Sequence, residues 1–145
     1  MSKRMIETSV DVAAPVERVW RVLTDFSSYP QWSRFILSIR GDAREGARLS
    51  VRMDDDGGVM AVSPEIRVCD APTVLRWRGV LGAPFLFSAE HHFRLEPLVG
   101  GGTRLDHSEM FGGLLVPLFW KRFDTRTRQA FQDFNAAIRA RAENT

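Results

Sequence analysis

The stretch AAPVERVWRVLTDFSSYPQW, residues Ala13 to Trp32, decides how this chain folds. Pro15 suits the first turn of a helix, where a missing N–H costs nothing. Val16, Val19, Trp20 and Leu23 then recur on one face at helical spacing. The run from Asp25 to Pro30 ends that helix, because the residue before a proline is pushed out of the right-handed helical region. Trp32 opens the next segment beside an aromatic-rich turn. The spacing therefore predicts a helix over about 15–25 and a short helical or turn segment near 29–35.

Strand patterns surround this helix. Residues 4–12 alternate, with Ile6, Thr8, Val10 and Val12 among polar neighbours, and read as a first strand. After the helical segment come strands at roughly 35–41, 46–53, 59–69, 73–80, 85–96 and 102–111, separated by Gly-, Pro- and Asp-rich turn signals. Short links between consecutive strands imply an antiparallel meander. From about Val116 to Ala142 there is no glycine, and Pro117 sits where a first-turn proline is tolerated. Trp120, Phe123, Thr127, Phe131, Phe134 and Ile138 form one apolar stripe at three- and four-residue steps, which predicts a long terminal helix.

Size and composition narrow the class. The 145 residues suit one domain spanning 1–145, and 44% hydrophobic with 26% charged residues is ordinary for a globular chain. The formal net charge is +2 and the arginines are scattered, which argues against a nucleic-acid partner. No apolar stretch approaches the length of a membrane span. The single cysteine, Cys69, has no internal partner, which fits a reducing cytoplasm, and its role is filler in or beside a strand.

Alternation sharpens the reading of the last hairpin. Phe87, Ala89, His91, Phe93 and Leu95 share one face of their strand, and Thr103, Leu105, His107, Glu109 and Phe111 share one face of the next. Pairing Leu95 with Leu105 sets Arg94 opposite Asp106 and Glu96 opposite Arg104, two complementary outward pairs. The same register sets Phe93 against His107 and His91 against Glu109. Two histidines and a carboxylate then face inward among phenylalanines. A buried carboxylate is costly unless paired, and histidine is a natural partner. Three roles fit: the groups satisfy one another, they orient a polar ligand group, or they exchange protons as acid and base near neutrality. Their spacing demands no metal, and no cofactor motif accompanies them.

The opening stretch, with the strand, helices, six strands, long helix order, resembles the START/polyketide-cyclase-like superfamily known as SRPBCC. That resemblance spans essentially the whole chain. It implies an α+β helix-grip fold: a curved seven-stranded antiparallel sheet wrapped around the C-terminal helix, with short helices between strands 1 and 2. It also implies an internal apolar cavity for a small hydrophobic or aromatic molecule. On that basis Trp32, Phe35, Leu75, Trp77, Phe93, Phe111, Trp120 and Phe123 are expected to line the cavity, with His91, His107 and Glu109 at the ligand's polar end. The superfamily includes binders, cyclases, transport proteins and regulators. The alternatives are thus a cyclase/aromatase-type enzyme using the same His and Glu groups, or a lipid-, quinone- or protein-handling module.

The segment FGGLLVPLF, Phe111 to Phe119, resembles the superfamily's strand-to-helix junction. It reads as a tight turn with a hydrophobic cap, or as a gate or peripheral contact surface using Leu114, Leu115 and Phe119, with Gly79 to Phe87 as an opposing lip. Asp54-Asp55-Asp56 lacks the oxygen-ligand spacing of a calcium loop and reads as a solvated turn. Gly100-Gly101-Gly102 has no following Lys-Ser/Thr and reads as a hairpin turn. No G-x-S-x-G nucleophile elbow occurs.

Overall fold

A computed structural model describes residues 3–55 and 57–144, with only the backbone of Lys3, Phe119, Arg122 and Phe123. Strand β1 (Lys3–Val12) leads into α1 (Val16–Thr24) and a 3-10 helix (Phe26–Gln31). Seven further strands follow: β2 (Ile36–Arg40), β3 (Ser50–Asp55), β4 (Gly58–Val62), β5 (Glu65–Asp70), β6 (Val74–Leu81), β7 (Phe87–Pro97) and β8 (Thr103–Gly112). Helix α2 (Val116–Glu143) closes the chain.

The opening stretch folds much as its spacing predicts. Pro15 stands one position earlier than expected, at the N-cap of α1, where its carbonyl accepts from the N–H groups of Arg18 and Val19. Val16, Val19 and Leu23 are buried on one face of α1. The helix stops at Asp25, whose carboxylate accepts from the hydroxyls of Ser27 and Ser28. Tyr29 then folds back, and its hydroxyl donates to the Leu23 carbonyl at 2.6 Å. That bond satisfies one of the orphan carbonyls at the helix end.

The expected seven-stranded sheet is corrected to eight strands in two sheets. Five strands run in the order β1-β8-β7-β6-β5 and three in the order β2-β3-β4. The expected strand over 59–69 breaks at Ser63-Pro64, between β4 and β5. A proline has no N–H to give a ladder, so the chain leaves one sheet and enters the other there. Residues 46–49, expected within a strand, instead stitch the two sheets together. Gly46 N–H donates to Ile66 O, Ile66 N–H to Ala47 O and Leu49 N–H to Pro64 O, each at 2.8 Å.

The β7–β8 register is the one that the alternation predicts: Leu95 opposes Leu105, Phe93 opposes His107 and His91 opposes Glu109. Arg94 faces Asp106 and Glu96 faces Arg104. Arg104, however, forms its ion pair with Asp11 on β1, at 3.1 Å. Helix α2 has 28 residues, so it is about 42 Å long and crosses the sheet. Its Phe131, Phe134 and Ile138 are fully buried, each contributing about 1.5–3 kcal/mol of hydrophobic stabilisation before entropy. At its far end Glu143 accepts from the Ala13 N–H at 2.9 Å, tying α2 to the β1–α1 link.

A buried hydrogen-bond chain as candidate functional site

Residues of β7, β8 and α2, joined by Thr8 of β1, meet on the inner face of the β7–β8 hairpin. His91 from β7, His107 and Glu109 from β8, and Asn135 from α2 are 2%, 0%, 8% and 2% exposed. The expected inward face is therefore where the sheet places these three hairpin residues. His91 Nδ1 lies 3.0 Å from Glu109 Oε2. Its other nitrogen, Nε2, lies 2.9 Å from His107 Nε2. His107 Nδ1 lies 2.9 Å from Asn135 Oδ1. Asn135 Nδ2 donates to the Thr8 hydroxyl at 2.8 Å, and that hydroxyl donates to the His107 carbonyl at 2.8 Å.

This chain can be read atom by atom. Thr8 spends its one hydrogen on the His107 carbonyl, so it accepts from Asn135. The amide thus turns its oxygen to His107, whose Nδ1 must carry a hydrogen. All four ring nitrogens of His91 and His107 are engaged inside the protein. Burial, followed by the neighbouring His91, holds the His107 imidazole well below its usual value, while the bond to Asn135 acts the other way. His107 is consequently neutral, its Nε2 accepts, and His91 donates through Nε2–H.

Aromatic rings enclose the chain. Phe131 stacks on His107 with centroids 4.0 Å apart, and Phe93 stacks on both imidazoles, at 4.6 Å from His107 and 5.3 Å from His91. Trp77 and Phe134 close the sides, 5.5 Å from His91 and 5.2 Å from His107. This low-dielectric jacket strengthens each bond within it and penalises any unpaired group.

The expected lining residues divide between two clusters. Trp77, Leu75 and Phe93 are buried in the larger core, with half-buried Trp32 packed against it. The Trp32 indole Nε1 is buried without a hydrogen-bond partner among the described residues. Phe111 belongs to a second cluster with Ile6, Val116 and Phe131, against which half-buried Phe87, Ala89 and Trp120 pack. Phe35 packs against both. The Phe123 side chain lies outside the described residues. Asn135 and Thr8 complete the chain although neither stands out as a site residue in the sequence. The available signal for Asn135 is its place one residue after Phe134 and four after Phe131.

The junction ahead of α2 brings two apolar segments together. Leu114 and Leu115 donate their N–H groups to the carbonyls of Phe85 and Leu86, at 2.9 and 3.0 Å. Phe85, Leu114 and Leu118 are 57%, 62% and 75% exposed there. The Phe119 side chain is outside the described residues. Two surface clefts lie elsewhere, one on the outer face of β6 and β7 beside Arg76 and His92, the other between β1 and α2 beside Ser9 and Gln132. Among the described residues, no three His, Cys, Asp or Glu side chains converge to hold a metal ion. None of the described helices is long and apolar enough to cross a membrane.

Comparison with known proteins sets this arrangement in a family. The family model for polyketide cyclase/dehydrase and lipid transport proteins matches residues 3–143. The chain belongs to this family. Solved structures with the same START-like fold include the ZhuI aromatase/cyclase of Streptomyces sp. R1128, at 20% identity and TM-score 0.82, covering 99% of this chain and 95% of that one. A START superfamily protein from Mycobacterium smegmatis aligns at 21% identity and TM-score 0.77, covering 97% of each chain. A point mutant of norcoclaurine synthase from Thalictrum flavum aligns at 14% identity and TM-score 0.75, covering 99% of this chain and 96% of that one. These likenesses show the helix-grip fold, an antiparallel sheet against a C-terminal helix. No curated protein matches the chain.

Proposed function

We propose that residues 1–145 form a ligand-binding unit that takes a small hydrophobic or aromatic molecule between the five-stranded sheet and α2, with Glu109 at its polar end. One observation carries this reading. Glu109 stands on the inner face between His107 and Phe111, opposite Ile6 and His91 on the flanking strands. Its Oε2 is held by His91, whereas Oε1 has no hydrogen-bond partner among the described residues. A carboxylate oxygen so placed is stabilised by a ligand or by water. Half-buried Phe35, Phe87 and Trp120, packed on the cluster of Ile6, Phe111, Val116 and Phe131, are proposed as the apolar walls, the usual composition of such sites: mostly apolar, with few polar anchors. In this reading His91 and His107 act through Glu109, since their own nitrogens are taken.

Native mass spectrometry of protein purified from its own cells tests the proposal. A retained small organic molecule, released on unfolding, is the expected result. Absence of any retained molecule, together with failure to bind aromatic probes, contradicts it.

The Glu109–His91–His107 chain also favours a second reading, an enzyme of cyclase/aromatase type whose carboxyl group exchanges a proton with a bound carbonyl compound. Turnover would then follow a histidine-like pH dependence and vanish in His107→Ala.

A further inference from the structure

We infer that the ligand's polar end is a hydrogen-bond donor, the hydroxyl of a phenol, enol or alcohol being the simplest, and neither a carboxylate nor a bare carbonyl. The inference rests on the binding reading above and assigns the chemistry of its polar contact. It follows from where hydrogens can sit along the buried chain.

Thr8 and Asn135 fix the far end, so His107 Nδ1 always carries a hydrogen. The 2.9 Å gap between the two Nε2 atoms holds one hydrogen, since two would collide and none would set lone pair against lone pair. The 3.0 Å gap between His91 Nδ1 and Glu109 Oε2 likewise holds one. Three hydrogens therefore occupy the three links that involve imidazole nitrogens. Leaving aside the one that would make His91 an imidazolate anion, they can be apportioned in three ways: a neutral carboxyl with two neutral imidazoles, a carboxylate with His91 charged, or a carboxylate with His107 charged. The last is disfavoured by complete burial.

In all three arrangements the carboxyl hydrogen, when present, lies on Oε2 and points at His91. Oε1 is then a carbonyl or carboxylate oxygen, and it accepts only. A ligand carboxylate would set oxygen against oxygen there, with like charge in two of the three states. A bare carbonyl or ether would offer no hydrogen. A hydroxyl satisfies Oε1 in every state. Asn135 and Thr8 thus act as positioning residues: by fixing the His107 tautomer they fix the polarity of an atom on the other side of two imidazoles.

Three matched probes test this: 2-naphthol, 2-methoxynaphthalene and 2-naphthoate, titrated against the intact protein at neutral pH by calorimetry and NMR. The naphthol should bind about tenfold more tightly than either of the others, the effect of one hydrogen bond. Glu109→Leu should erase the preference. Glu109→Gln should keep most of it, because the amide can donate to His91 and leave its oxygen toward the ligand. Equal binding of naphthol and methoxynaphthalene, or tighter binding of the naphthoate, overturns the inference while leaving the binding reading standing; a preference that survives Glu109→Leu overturns the inference and the place given to Glu109 in that reading. Failure of all three probes to bind overturns the inference, and where the protein from its own cells also retains no small molecule it overturns the binding reading too.

Discussion

His107 is neutral in the folded chain because nothing around it repays the loss of water that charging would require. In the unfolded chain the same imidazole keeps its ordinary value near 6.5. Below that pH the unfolded state takes up a proton that the folded state refuses, so stability falls as pH falls. One such group gives a slope of up to about 1.4 kcal/mol per pH unit. Urea unfolding should therefore show lower stability at pH 5 than at pH 7.5, and His107→Gln should remove most of that slope. Half-buried His92, lowered chiefly by desolvation and then by Arg76, leaves a smaller slope of the same sign in the variant. Glu143, whose carboxyl is lowered mainly by the Ala13 N–H, acts only below its ordinary value of 4.5. Flat or rising stability between pH 7.5 and 5 would refute the neutral His107. At this scale the alternation of β7 and β8 made His91, His107 and Glu109 legible, since strand period alone puts them on one face. Asn135 and Thr8 were not, because their bonds span 127, 99 and 28 positions and no local pattern encodes them.

Elements are most legible in the sequence where one rule acts alone. The apolar stripe from Phe131 to Ile138 and the helix-ending DFSSYP stretch both behaved as their spacing required. The strand over 59–69 failed because two apolar runs flank Ser63-Pro64, and hydrophobicity alone does not register a missing N–H. The β8–α2 junction shows a further constraint that composition hides. Gly113 has φ +113°, and a Cβ there would run into the Leu86 carbonyl and the Phe87 nitrogen of the opposite segment. Gly79 on β6 has open space and no such φ. Gly113→Ala should cost at least about 2 kcal/mol, from backbone strain and the displaced strand end. Gly79→Ala should change stability by less than about 1 kcal/mol. Thermal or denaturant unfolding of the pair decides this, and equal effects would contradict the described junction.

Across the whole molecule, the helix-grip arrangement gathers β1, β7, β8 and α2 around one polar chain in an otherwise aromatic interior. The stitch between residues 46–49 and 64–66 bends the three-stranded sheet onto the edge of the five-stranded one, and α2 lies across the inner side. On the binding reading proposed above, the specificity of this interior would rest on hydrogens rather than on shape. Long-range proton–nitrogen NMR of the three histidine rings in the intact protein observes those hydrogens directly, with His92 on the outer face as reference. At neutral pH His107 should be uncharged with its hydrogen on Nδ1, and His91 should carry a hydrogen on Nε2. A His107 that is charged, or that carries its hydrogen on Nε2, would contradict this assignment.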